Sequence, residues 1–190
     1  MAQLFPTLYK QASTQTQSKD GKRVFEHRLL FDRVLCDVPC SSDAAMRKIP
    51  AKWDPWSPKE GLGLHPLQLK LLLRGIALLR VGGLISYSTC SLNPIENEAV
   101  VAAALRRLKG KVELISCEQA LPQDKFRTRP GLSSWTVYDS GFRGMERSVE
   151  HWEKLVYKSF GDVPPEKRKS IRETMFCIED EKTMTEEMRI

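Results

Sequence analysis

Two apolar runs separated by one helical pattern constrain this chain more than any other feature. The first, Leu29 to Cys36, is apolar apart from Asp32-Arg33, and the second, Leu84 to Ser88, follows Gly82-Gly83. Between them Leu69, Leu72, Leu73, Ile76 and Leu79 recur at helical spacing, with Pro66 near the start. Strand, helix, strand implies a parallel crossover, and parallel strands are normally buried on both faces. Asn93 can cap a second helix, with Pro94 in its first turn. Glu96 and Glu98 suit that helix's positive end, and Arg106, Arg107 and Lys109 its negative end. Val112 to Ile115 then reads as a third strand. The expected class is α/β.

Open α/β sheets place their chemistry just beyond the carboxyl ends of strands. Asp37-Val38-Pro39-Cys40 arrives there from the first run, and Thr89-Cys90-Ser91 from the second. Two thiols and a carboxylate at one sheet edge point to covalent nucleophilic catalysis. A free thiol is only a few per cent thiolate at neutral pH, so a nucleophilic cysteine needs local activation.

A length of 190 residues is about one domain. The first 28 residues read as an N-terminal segment, polar from residue 10 onward and loop-like. Residues 29–117 form the core, and residues 118–190 are irregular and charged. In that last part Trp135 to Tyr138 is a candidate short strand, and His151 to Tyr157 at most an amphipathic turn. Ala45 to Leu64, with Pro50, Pro55, Pro58, two tryptophans and several basic residues, reads as a long functional loop. No apolar run approaches the roughly 20 residues that cross a bilayer. No secretory signal is visible, and five cysteines then imply a reducing compartment, nucleus or cytoplasm. His27, His65 and His151 are scattered, so no metal site is expected. The net charge of +6 is compatible with a polyanionic partner.

The cysteine motifs carry a resemblance. Asp37-Val38-Pro39-Cys40 followed by Thr89-Cys90-Ser91 resembles the paired signature of the Nop/Sun family of RNA cytosine-5 methyltransferases. Met46-Arg47-Lys48, Leu67-Gln68-Leu69, Arg74-Gly75 and Tyr87 through Glu98 extend the match over about residues 31 to 107, in the detail of the eukaryotic tRNA-methylating branch. The resemblance implies a Rossmann-like methyltransferase sheet, S-adenosylmethionine as cofactor, and RNA, in particular tRNA, as substrate. It gives Cys90 the role of nucleophile at carbon 6 of cytosine, and Cys40 that of assisting loss of the carbon-5 proton and release. Asp37 would meet N3 of the base and, with Pro39, lie beside the cofactor. Arg47 and Lys48, with Lys52, Trp53 and Trp56, are placed to hold phosphates and stack on bases of a flipped-out target.

The family's Gly-rich cofactor loop, with its Pro-Gly-x-Lys-Thr element, has no counterpart in these residues. The chain therefore reads as part of a catalytic domain, holding the fourth, fifth and sixth strands and lacking the first three and the seventh. Unpaired strand edges, an uncovered apolar face and inactivity in isolation are expected from that. Ser42-Asp43-Ala44-Ala45 departs from the family's Gly-Asp-Gly-Thr, which bears on the flexibility of the loop after Cys40.

Plainer readings compete. Free cysteine is often buried, and core packing is the reading for Cys36, Cys117 and Cys177. Trp53 and Trp56 read as packing a loop onto the domain in preference to stacking on RNA. Lys167-Arg168-Lys169 reads as a solvated face. A non-catalytic RNA-binding or scaffold role is the main rival. A thiol hydrolase lacks a His partner at motif level.

Overall fold

The computed structural model describes residues 9–11, 25–115, 129–141, 153 and 155–177. A parallel pair lies at its centre. Strand β3 (Phe31–Asp37) pairs with β4 (Leu79–Ser88), from Arg33 opposite Leu84 to Asp37 opposite Ser88. Helix α1 (Pro58–Ala77) connects them, and α2 (Glu98–Arg107) follows β4. Ahead of this unit β1 (Tyr9–Gln11) pairs antiparallel with β2 (Phe25–Arg28), so the ends of the polar segment form a ladder where a loop was expected.

Helix α1 begins about two turns earlier than the apolar spacing predicts, inside the expected long loop. Pro58 supplies a preset φ at its first position. Pro66 therefore lies within the helix, where it leaves the Leu62 carbonyl without its helical donor. Burial of Leu62, His65 and Gln68 around that point offsets the loss. Leu79 belongs to β4, not to the helix. Gly82, at φ +77°, sits in a bulge where β4 runs from residue 79 to 84 against 31 to 33 of β3.

Both helices cover one face of the pair. Leu72, Val100 and Ala104 are buried there against Ile85 and Tyr87. Gly75 permits the approach: a methyl group at that position would meet Ile85 Cδ1 at 2.6 Å. The opposite face is open, with Leu35 87% exposed. The strands are thus half-buried, not enclosed on both faces as their apolar runs predict, because among the described residues nothing packs on that side. Val112 to Ile115 is in no ladder, so the expected third strand is absent there. An extended run becomes a strand only with a partner edge, and among the described residues β3 and β4 pair only with each other.

The charged C-terminal part holds more order than its composition predicts. Strand β5 (Val137–Tyr138), expected as a short strand, pairs antiparallel with β6 (Val156–Tyr157), where at most an amphipathic turn was the expectation. Val137, Tyr157, Val163, Ile171, Met175 and Phe176 form a buried cluster with Leu62 and Ile95. Within the supposedly solvated basic run, Lys167 Nζ reaches buried Asp139 Oδ2 at 2.5 Å, and Arg168 stands 5.2 Å over the Phe160 ring. Burial pulls the Asp139 pKa upward, but hydrogen bonds from Lys167 and the Gly141 N–H outweigh it and hold the group below its ordinary value. Lys167→Met is expected to cost about 1–2 kcal/mol in urea unfolding, because it strands a buried carboxylate while solvent still reaches the site.

Candidate active site

The carboxyl ends of β3 and β4 lie side by side and deliver both cysteine motifs to one place. Ser88 Oγ donates to Asp37 Oδ1 at 2.8 Å, and Val38 N to Ser88 O at 3.1 Å, extending the ladder by one step. Beyond it Cys40 Sγ and Cys90 Sγ are 3.2 Å apart, and the Cys90 N–H donates to Cys40 Sγ at 3.3 Å. Cys90 is exposed and Cys40 half-buried. Burial first, and the hydrogen bond to Cys90 second, push the Cys40 thiol up.

Ser42 closes the same corner. Its Oγ lies 3.3 Å from Cys90 Sγ and 3.8 Å from Cys40 Sγ. It adopts a left-handed conformation, φ 60° and ψ 29°, which glycine enters without penalty and serine does not. Serine, where the resemblance implies glycine, thus adds backbone strain and puts a hydroxyl beside both sulfurs. Asp43 ties this loop to the next, its Oδ1 accepting from Leu92 N at 2.8 Å and Ala44 N at 3.0 Å.

The remaining expected residues divide. Pro39 is exposed, and its carbonyl accepts from Gln68 Nε2 at 2.9 Å. Arg47 and Lys48 are exposed in the turn that follows Asp43–Ala45. Lys52 is anchored, with Nζ 3.3 Å from Ser41 O and 4.0 Å from Glu60. Trp56 is half-buried, in line with packing, whereas Trp53 is 66% exposed, its indole N–H donating to Met46 O. Cys36, half-buried, faces α1 within the sheet, and burial raises its thiol pKa. Cys177, half-buried, donates to Ser133 O at 2.9 Å. Cys117 and His151 lie outside the described residues. Among the described residues no three His, Cys, Asp or Glu side chains gather as a metal site would require, and no helix is long and apolar enough to cross a membrane.

Sequence reading missed the residues behind the cysteines. Ser41, Gln68, Ser91 and Asn97 are bonded around the two loops, and Glu96, read only as a carboxylate at a helix start, is fully buried among them. The one signal for Ser41 and Ser91 was adjacency to Cys40 and Cys90, and for Gln68, Glu96 and Asn97 it was their place in the segments that extend the match. Asn93 does not cap α2, which starts at Glu98 with Asn97 at its N-cap; the Asn93 Oδ1 accepts from Ile95 N at 3.1 Å in the turn ahead of the helix.

A sequence model of the family described as 16S rRNA methyltransferase RsmB/F matches residues 7–131. The chain belongs to this family. A multisite-specific tRNA:(cytosine-C(5))-methyltransferase of Schizosaccharomyces pombe is 45% identical over 152 residues, 79% of this chain and 22% of the relative. The Saccharomyces cerevisiae protein described in the same words is 55% identical over 111 residues, 58% of this chain and 16% of the relative. A tRNA (cytosine(34)-C(5))-methyltransferase of Drosophila melanogaster is 36% identical over 163 residues, 86% of this chain and 20% of the relative. These RsmB/F relatives fall in the eukaryotic tRNA-methylating branch that the motifs resemble. The chain spans about a fifth of their length. Family membership and the parallel β3–β4 pair agree with a Rossmann-like methyltransferase fold.

Proposed function

We propose that this chain carries the catalytic loops of an S-adenosylmethionine-dependent RNA cytosine-5 methyltransferase acting on tRNA. The observation that carries this reading is the meeting of Cys40 and Cys90 at 3.2 Å on adjoining strand ends, with Asp37 bonded to Ser88 where those strands end. The relatives' tRNA specificity supports the choice of substrate. In this reading β3 and β4 are the fourth and fifth strands of the methyltransferase sheet.

Carbon 5 of cytosine is a poor nucleophile. Addition of the exposed Cys90 sulfur at carbon 6 converts it into an electron-rich enamine carbon. The base must leave its stack to reach Cys90. Asp37 meets N3 and offsets charge as the adduct forms. Cys40 then assists loss of the carbon-5 proton, and expulsion of Cys90 restores the ring. Arg47 and Lys48, exposed beside the Cys40 loop, hold phosphates.

The residues present fit one edge of the cofactor. The exposed Asp37 carboxylate and Pro39 stand at a strand carboxyl end, where open sheets receive ligands, and a carboxylate complements a sulfonium. When bound, S-adenosylmethionine supplies the methyl group as an electrophilic sulfonium substituent.

Covalent capture tests the reading, with RNA containing 5-azacytidine and a polypeptide extended to the length of the relatives. Wild type is expected to be trapped on the RNA and Cys90→Ala is not. Undiminished trapping of Cys90→Ala would sink the nucleophile assignment. RNA binding without trapping by wild type would favour the scaffold role instead.

A further inference from the structure

Glu96 is a fully buried acid whose carboxylate oxygens are occupied by donors from both cysteine loops. Oε1 accepts from Ser41 N and from Gln68 Nε2, each at 2.9 Å. Oε2 accepts from Ser91 Oγ at 2.8 Å and from Ser41 Oγ at closer range. A carboxylate is acceptor-only with about four lone-pair sites, and these donors fill them. Donors in such number are what a buried acid needs in place of water.

The identity of the donors matters more than their number. Ser41 follows Cys40, and Ser91 follows Cys90. Gln68 Nε2 donates also to the carbonyl of Pro39, which precedes Cys40, so that cysteine is gripped on both sides. The neighbouring Asn97 does the same for Cys90: it accepts from Thr89 Oγ1 at 2.6 Å and donates to Ser91 O at 2.8 Å. The turn bearing Glu96 and Asn97 is itself fixed, because Tyr87 O–H donates to the Glu96 carbonyl at 2.6 Å. Gly61 leaves room for it: a methyl group there would collide with Asn93 and press on Glu96 Oε2.

We propose that Glu96 is a positioning residue that sets Cys40 against Cys90, by binding through one carboxylate the residues that follow each. It touches neither sulfur. A hydrophobic residue of similar size would fill the space but leave the Ser41 N–H and one Gln68 Nε2 hydrogen without an acceptor and the two hydroxyls only each other at 3.2 Å, and the loops would part to reach water. The consequence for methyl transfer rests on the reading of the preceding subsection; the dithiol geometry stands apart from it.

Phenylarsine oxide tests the geometry directly on the 190-residue chain. It condenses with two adjacent thiols, forming two As–S bonds and releasing one water without redox change. Wild type is expected to bind it far more tightly than Cys90→Ser, which sets the single-thiol baseline. Glu96→Gln, equal in size, replaces acceptors by an amide facing donors. It is expected to weaken binding at least about tenfold, the equivalent of one lost charge-assisted hydrogen bond. Val100→Ala, a core substitution in α2, is expected to lower the melting temperature and leave arsenical affinity at the wild-type value. Should Glu96→Gln fail to fold, Ser91→Ala removes a single donor and is expected to weaken binding about threefold. Wild-type affinity in a folded Glu96→Gln, or in Ser91→Ala in its place, overturns the proposal. So does an equal loss in Val100→Ala, or wild type at the single-thiol baseline. The assay uses neither RNA nor cofactor. A chain that binds the arsenical tightly, but whose extended form traps no 5-azacytidine RNA, overturns the methyl-transfer reading and leaves the role of Glu96 in place.

Discussion

Replacing Cys40 by alanine is expected to leave cytosine-containing RNA attached to the extended protein through Cys90, while net methylation falls about 10²–10⁴-fold, the usual contribution of a positioned proton-transfer group. The asymmetry follows from the pair's resting state. Burial and the hydrogen bond to Cys90 push the Cys40 thiol up, and Cys90 is the sulfur exposed to an incoming base. Attack therefore survives without Cys40. Release, not attack, is then the step lost in Cys40→Ala.

A denaturing gel that resolves free protein from protein–RNA adduct reads the outcome. Cys40→Ala should accumulate adduct with ordinary cytosine, whereas wild type shows little at steady state. Cys90→Ala and the double variant should show none. Turnover at the wild-type rate by Cys40→Ala, with no adduct, would reduce Cys40 to a packing residue.

The site was more legible in the sequence than the fold around it. Cys40, Cys90 and Asp37 stand out because reactive side chains follow apolar runs, and register then brings Asp37 opposite Ser88 with the loops adjoining. The helices' apolar faces were legible for a similar reason, since spacing reports which side is buried. Boundaries were not: Pro58 and Pro66 offer two plausible helix starts, and only the burial of Leu62, His65 and Gln68 decides between them. Lys167 and Arg168 look solvated because a charge run carries no record of a partner 28 residues away, yet Asp139 supplies one. Glu96 fails in the same manner. A carboxylate near a helix start already has a local explanation, and its bonds to Ser41, 55 positions away, are invisible until the loops are folded together.

His65 makes acid the second large lever. It lies fully buried on α1, its Nδ1–H donating to Ile95 O at 2.7 Å and its Nε2 accepting from Thr174 Oγ1 at 2.9 Å. It thereby joins the helix, the turn that bears Glu96, and the C-terminal cluster. Burial chiefly, reinforced by the Arg172 and Arg106 charges against the pull of the Ile95 carbonyl, pushes its pKa down from 6.5 to about 4. The unfolded chain therefore binds a proton at mildly acid pH that the folded chain refuses. The sign follows: stability is intact above pH 6.5, falls as pH drops toward 4, and flattens below. A displacement of that size corresponds to about 3 kcal/mol. Urea unfolding should show the free energy falling by about 1.4 kcal/mol per pH unit near pH 5. His65→Asn, less stable at neutral pH, should lose most of that slope, because its side chain does not titrate. An unchanged slope in the variant would put the acid sensitivity in other groups. A flattened slope would place it in this one imidazole, which holds Ile95 next to Glu96.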